Sequence, residues 1–273
     1  MQKISFTTMA TPDWDGPKAI KKAKEYGYQG VDLRISDNKG QLKDSSTDAE
    51  IKEMRKVFDG EGIIPSSLLS YNAQINKEPN SWDAFKVSVL KQLEIGSKLG
   101  TKLVRIFIGN PDILNNREEF IKRTADALAE VLKKDKSDVT LVIQNHGGGA
   151  NAHDVLNIMK QVKNKRLNLV LCPANALIME DNLDDIMPVL KIDMPQLYVA
   201  DIIKSPELKN GHKSALPGKG IIDYKNIYEQ LGGKTFEGWI SFKWEKIWEP
   251  TLEGPEIALP YFIKFIKGVI GEK

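Results

Sequence analysis

The sequence predicts a single-domain (β/α)8 TIM barrel of the α/β class spanning residues 1–273, and three observations carry that expectation. Short β-rich runs alternate with amphipathic helical segments along the whole chain, and eight such runs can be counted. Dividing 273 residues among eight units gives about 34 residues each, which suits a barrel of roughly 250 residues with modest insertions. A hydrophobic content of 41% is enough to fill one large core, and no linker or low-complexity stretch divides the chain.

The expected strands are KISFTT (3–8), GVDLRI (30–35), IIPSSLLSY (63–71) and KLVRIFIG (102–109), followed by VTLVIQNH (139–146), LNLVLCPA (167–174), QLYVADII (196–203) and GWISFKWE (238–245). Helical patterns lie between them at PKAIKKAKEYG (17–27), AEIKEMRKVFDGEG (49–62), SWDAFKVSVLKQLEIGSKLG (81–100) and REEFIKRTADALAEVLKK (117–134). Apolar residues spaced by three and four mark their buried faces, and glycine or a charged turn closes several of them. An open doubly wound sheet is the alternative architecture. It lacks support because no G-x-G-x-x-G fingerprint follows the first strand.

Charge names no partner. Lys and Arg number 39 against 37 Asp and Glu, a formal net charge of +2, and neither sign gathers into a long run, so nucleic acid is not an expected ligand. The single cysteine, Cys172, excludes an internal disulfide framework and a four-thiolate zinc site within one chain. No stretch has signal-peptide character or approaches the roughly 20 apolar residues of a membrane helix, so a cytoplasmic chain with no membrane partner is expected. Homo-oligomers remain open.

In such barrels, sites sit where each strand gives way to its loop at the carboxyl end. Those positions hold Thr7 and Thr8, Asp32 and Arg34, Ser70 with Tyr71 and Asn72, and Arg105. They continue with Gln144 and His146, Cys172 and Asn175, Asp201 and Lys204, and Lys243 and Glu245. Together they predict a polar ring.

Several of these segments are similar to those of the xylose isomerase-like TIM barrels, the sugar phosphate isomerase/epimerase superfamily that also includes endonuclease IV-like proteins. GYQGVDLR (27–34) resembles the family's second strand, and LVIQNHGG (141–148) resembles a fifth strand ending Glu-Asn-His. LVLCPAN (169–175) resembles a sixth strand ending Asp-Pro-x-Asn, and PGKGIIDY (217–224) resembles a Gly-Glu-Gly-x-x-Asp loop. GWISFKWEKIWEPTLEGPEIALP (238–260) is similar to an eighth strand bearing a Glu and followed by a Pro-Glu-x-x-Leu-Pro segment.

The resemblance implies a divalent metal such as Mn or Zn, held by a Glu on strand five, an Asp on strand six, a His on or near strand seven and a Glu on strand eight. The matching positions here carry Gln144, Cys172, Asp201 or Ala200, and Lys243. A hard cation wants several anionic oxygens, and across the three assigned acidic positions the charge moves from three negative to about one positive. No metal ligand and no cofactor is therefore expected, and the vacated volume suits a small-molecule sugar or an anionic sugar derivative. The candidate catalytic residues are Lys243, Gln144 and Glu245; the candidate substrate contacts are His146, Asn175, Arg34, Asp201, Trp14 and Cys172.

Each has a plainer alternative. Gln144 can hydrogen-bond within the barrel mouth, Lys243 can pair with Asp201 or Glu245, and Cys172 can be a small buried hydrophobe. Trp14, Trp244 and Trp248 suit either packing or stacking on a sugar ring, His153 and His212 look structural or exposed, and a phosphate role for PGKG rests on an incomplete pattern. Three functions stay open: a metal-independent isomerase, epimerase or lyase that has rebuilt its acid-base pair; a non-catalytic carbohydrate-binding barrel; and an endonuclease IV-like repair enzyme. The first requires Lys243 to have a lowered pKa. The last needs a His-rich zinc cluster, and this chain has three histidines.

Overall fold

Local signals set the helix boundaries. Asp15 caps α1 (Gly16–Tyr26) by accepting from the backbone N–H of Lys18, and Gly27, at φ +88°, ends it in the left-handed region that glycine enters without a Cβ penalty. Thr47 and Glu50 form a reciprocal capping box at the start of α2 (Asp48–Glu61). The next helices, α3 (Ser81–Leu99) and α4 (Arg117–Lys134), fall within a residue of the sequence patterns. They are followed by α5 (Ala152–Val162), α6 (Pro173–Ile178), α7 (Leu183–Leu190), α8 (Tyr224–Gln230) and α9 (Pro255–Ile270). This computed structural model describes residues 2–37, 40–71, 74–78, 80–190, 194–208 and 211–272; Asn72, one of the expected mouth residues, lies outside them.

The barrel strands are β1 (Lys3–Thr7), β2 (Gly30–Ile35), β3 (Ile64–Ser70), β4 (Leu103–Ile106), β5 (Thr140–Gln144), β6 (Leu167–Val170), β7 (Gln196–Val199) and, after the hairpin β8 (Asp201–Lys204) and β9 (His212–Ala215), β10 (Trp239–Phe242). They form one parallel sheet in the order β6-β5-β4-β3-β2-β1-β10-β7. A parallel bridge from Leu171 to Leu197, with Tyr198 N–H donating to Leu171 C=O at 2.9 Å, joins its two ends and closes the ring. The (β/α)8 barrel is thus as the alternation implied.

Strand seven differs from its expected form. QLYVADII does not run through as one strand: β7 stops at Val199, and Asp201 begins β8, which leaves the barrel and pairs antiparallel with β9. The reason lies far along the chain. The Asp201 carboxylate accepts backbone N–H groups from Ile202, Gly218 and Gly220 at 2.9 Å and from Ile222 at 3.2 Å, which ties the turn after β7 to the PGKG loop.

The barrel has two interiors of opposite character. Outside the strands the helices bury aromatic rings: Phe6 meets Tyr28 edge-on at 4.9 Å, and Phe242 stacks on Phe262 at 4.5 Å. Inside, the axis is polar. Asp32 on β2 is fully buried and accepts from Ser66 on β3, from Gln196 on β7 at 2.7 Å and from Ser241 on β10 at 2.7 Å. Because β2 and β7 are not neighbours in the sheet, that contact crosses the barrel.

Burial outweighs these hydrogen bonds and raises the Asp32 pKa from 3.8 to about 6. The folded state therefore holds this proton more tightly than the unfolded chain does. Its contribution to stability is present below pH 3.8 and lost as pH rises through about 6. Asp32→Asn removes the buried charge, so thermal melts should show a gain at pH 7.5, bounded by about 3 kcal/mol, and no gain at pH 4. A loss at pH 7.5 would show that the charged carboxylate is needed to hold its hydroxyl donors.

Candidate functional site

The carboxyl ends of the strands open into a cavity of two lobes, one of about 590 Å³ and one of about 230 Å³. His146, Lys243, Glu245 and Trp248 line both lobes and form the ridge between them. A larger hollow of about 900 Å³ sits at the opposite end, among Lys3, Ile64, Lys102 and Trp239 at the strand starts. Barrel sites occupy the carboxyl-terminal face, and the two-lobed cavity holds His146 and Lys243, whose pKa values are strongly shifted.

Lys243 follows β10 directly, and its N–H bonds to the Val199 carbonyl at 2.9 Å, which fixes its position at the inner rim. The side chain is buried, and its ammonium forms an ion pair with Glu245, whose side chain is 21% exposed. Burial alone lowers the Lys243 pKa, but the charge and hydrogen bond of Glu245 outweigh it, and the net shift is upward. Lys243 is therefore a fixed cation, unsuited to act as a base or amine nucleophile.

Gln144, the last residue of β5, is 1% exposed, and neither its amide nitrogen nor its oxygen has a hydrogen-bond partner among the described residues. It faces the larger lobe. A buried carboxamide with both ends unpaired is costly unless something in the cavity completes it.

His146, two residues on, has its ring open to the cavity, with Nδ1 2.9 Å from the Gly147 carbonyl. The surrounding protein desolvates it, and Lys243 and Arg105 repel its charged form, lowering the pKa from 6.5 to about 4. Water reaching the ring screens part of this, but the direction leaves a neutral imidazole at neutral pH.

One wall is a ladder of alternating aromatic and guanidinium planes. Trp248 lies 5.2 Å from Arg34, Arg34 4.6 Å from Tyr71, Tyr71 4.5 Å from Arg105, and Arg105 4.1 Å from Phe107. Phe107 then meets His146 edge-on at 4.6 Å. Stacking of this kind helps to hold a buried guanidinium, and Arg105 also donates to the Ser70 carbonyl at 2.9 Å. The contribution of Phe107 was not foreseen; its position two residues beyond Arg105, at the end of β4, was the available signal.

Several other expected residues make structural bonds as well. Asn145 accepts from the Cys172 N–H at 2.8 Å and donates to the Cys172 carbonyl at 3.1 Å, while Asn175 donates to the Asn145 carbonyl at 3.0 Å. This clamp joins the tips of β5 and β6. Asn175 reaches the smaller lobe, but Cys172 is fully buried behind it, with its thiol pKa raised by burial. Asp201 borders the smaller lobe, yet both its oxygens are engaged by backbone N–H groups, so it anchors a loop instead of offering a free carboxylate.

The same bonds occupy the Gly218 and Gly220 amides, and PGKG does not form a phosphate cradle from them. Trp14 is in the core under Lys18 and lines neither lobe, whereas Trp244 stacks on Phe242 and borders the smaller lobe. His212, expected to be structural or exposed, borders the smaller lobe.

These residues do not fit a divalent ion. Gln144 offers a neutral carbonyl, Lys243 is a cation, Glu245 is committed to Lys243, and Asp201 is saturated by amides. Among the described residues no three His, Cys, Asp or Glu side chains converge as a ligand group.

Structural neighbours share this architecture at low identity. The IOLI protein with a bound zinc atom superposes with a TM-score of 0.81 at 17% identity, covering 99% of this chain and 98% of that one. D-psicose 3-epimerase from Clostridium cellulolyticum H10, with D-tagatose, gives 0.78 at 15% identity over 100% of both chains. The apo form of 3-keto-D-glucoside 4-epimerase from E. coli gives 0.75 at 14% identity, over 98% of this chain and 100% of that one. No curated protein matches the chain. At such identities the likeness establishes the fold, whereas the sequence profile described as xylose isomerase-like TIM barrel matches residues 20–260 directly. The chain belongs to the xylose isomerase-like TIM barrel family.

Proposed function

We propose that this barrel binds an anionic sugar derivative in its two-lobed mouth without a divalent ion, and that metal-dependent isomerase or epimerase turnover is not its chemistry. The observation that carries the reading is the buried Lys243–Glu245 pair at the tip of β10. On the sequence correspondence, Lys243 stands at the position matched to a metal-binding Glu of the family, and an ammonium held there by Glu245 supports the reading.

The Lys243 ammonium lines both lobes, and the Arg105 guanidinium stacks behind Tyr71 and Phe107 of the larger one, which favours a carboxylate or phosphate on the ligand. The unpaired Gln144 carboxamide, facing the larger lobe, offers an NH2 donor group and a carbonyl acceptor, the complement of a hydroxyl or carbonyl on the ligand. Sugars as the ligand class agree with two neighbours named as epimerases of D-psicose and of a 3-keto-D-glucoside.

A metal-independent isomerase with Lys243 as its base is disfavoured, because the pair keeps Lys243 protonated. An endonuclease reading finds no His-rich cluster among the described residues.

The test is elemental analysis of the purified protein after incubation with manganese, cobalt and zinc and removal of excess ion. The expected result is metal far below stoichiometric. One tightly held equivalent per chain would overturn the reading and would place His146 and Glu245 in an unorthodox metal centre.

A further inference from the structure

The two lobes differ in chemistry. The smaller lies against the β8–β9 hairpin, where Asn175, His212 and the hydrogen-bonded pair Ser214 and Glu249 set polar groups beside Ala174, Ile178 and Ile202, a mixed lining suited to a sugar ring. Beyond the shared ridge, the larger lobe is walled by Met9, Ile75, Phe107, Ile108, Ile113 and Ala150. Met9, Ile75, Ile108 and Ala150 are buried there.

This wall is a built feature. Gly109 sits at φ +85° with its backbone packed so closely on the Ile75 carbonyl that a Cβ has no room, which fastens the segment carrying Ile75 onto the end of β4. A bare sugar would set hydroxyls against this apolar surface, where each one left without a partner opposes binding. Phe107 and the 56% exposed Trp248 offer flat faces to a ring instead.

Resting on the reading of the mouth as an anionic-sugar site, we propose that the ligand is a sugar conjugate whose aryl aglycone fills the larger lobe. Its sugar ring lies in the smaller lobe, and the linking bond crosses the Lys243–Glu245 ridge. A flat ring covers the Phe107 and Ile108 wall without presenting polar edges to it, and the unpaired Gln144 carboxamide in the same lobe can meet a polar substituent or the linking oxygen.

Calorimetric titration of the full chain with D-glucose, D-glucuronate, p-nitrophenyl β-D-glucoside, p-nitrophenyl β-D-glucuronide, octyl β-D-glucuronide and p-nitrophenol separates the two claims. The aryl group is expected to tighten binding by about 10- to 100-fold in both sugar series. Ile113→Asp, at a partly exposed wall position, is expected to bring the aryl-to-free ratio close to unity. Equal binding of aryl and free sugars overturns the conjugate assignment, as does an octyl gain equal to the aryl gain, or p-nitrophenol binding as tightly as the glycosides. An aryl gain with glucuronide and glucoside binding alike upholds the conjugate assignment and removes the anionic one. No binding by any of the six overturns both.

Discussion

Replacing Lys243 by methionine should weaken binding of an anionic sugar by about 10- to 100-fold, the worth of one charge-assisted hydrogen bond in a mostly buried site. Methionine keeps the length and most of the volume of the side chain, so the rim stays packed while the ammonium is lost. Glu245, with 21% of its side chain exposed, can turn to water, which limits the penalty to the fold.

The partner substitution Glu245→Gln has a different signature. Without the carboxylate that raises it, the buried ammonium titrates at lower pH, and affinity for an anion falls at a less alkaline pH than in the parent protein. Titrations across pH 7 to 10 would show the shift. Unchanged affinity in Lys243→Met would mean that the ligand does not meet the ridge.

Asp201→Ala should cost about 4 kcal/mol of stability, because it leaves four inward-facing backbone N–H groups without their acceptor. Denaturant unfolding measures the loss, and hydrogen exchange should show it concentrated at 201–222, where the hairpin and the PGKG loop are held together. Asp201→Asn should recover part of the stability, since one carboxamide oxygen can still accept. A loss below about 1 kcal/mol for the alanine variant would show that other contacts fix the hairpin.

The local physics of this fold is well written in the sequence. Asp15, the Thr47–Glu50 pair and Gly27 mark helix ends through bonds within a few residues, and eight apolar runs find their places because a parallel barrel buries both faces of every strand. The mouth residues Gln144, His146, Lys243 and Glu245 were legible once the barrel was assumed, since each sits at a strand's carboxyl end.

What could not be read depends on distant parts of the chain. QLYVADII carries the pattern of one strand, and only amides at 218–222 reveal that Asp201 bends the chain out of the barrel. The ladder from Trp248 to His146 draws on five strand tips, and its spacing follows from sheet register. Trp14 was a candidate sugar contact with packing as its plainer alternative, and its burial under Lys18 was decided by tertiary packing. Asp32 was counted among the rim residues, whereas its bonds to Ser66, Gln196 and Ser241 place it across the polar axis.

The central claim is anion recognition without a metal, and the most direct measurement is calorimetric titration of the protein with a hexuronate in the presence and absence of a strong chelator. The account predicts the same affinity in both conditions, lost in Lys243→Met. Binding that vanishes with chelator and returns with added manganese would contradict it.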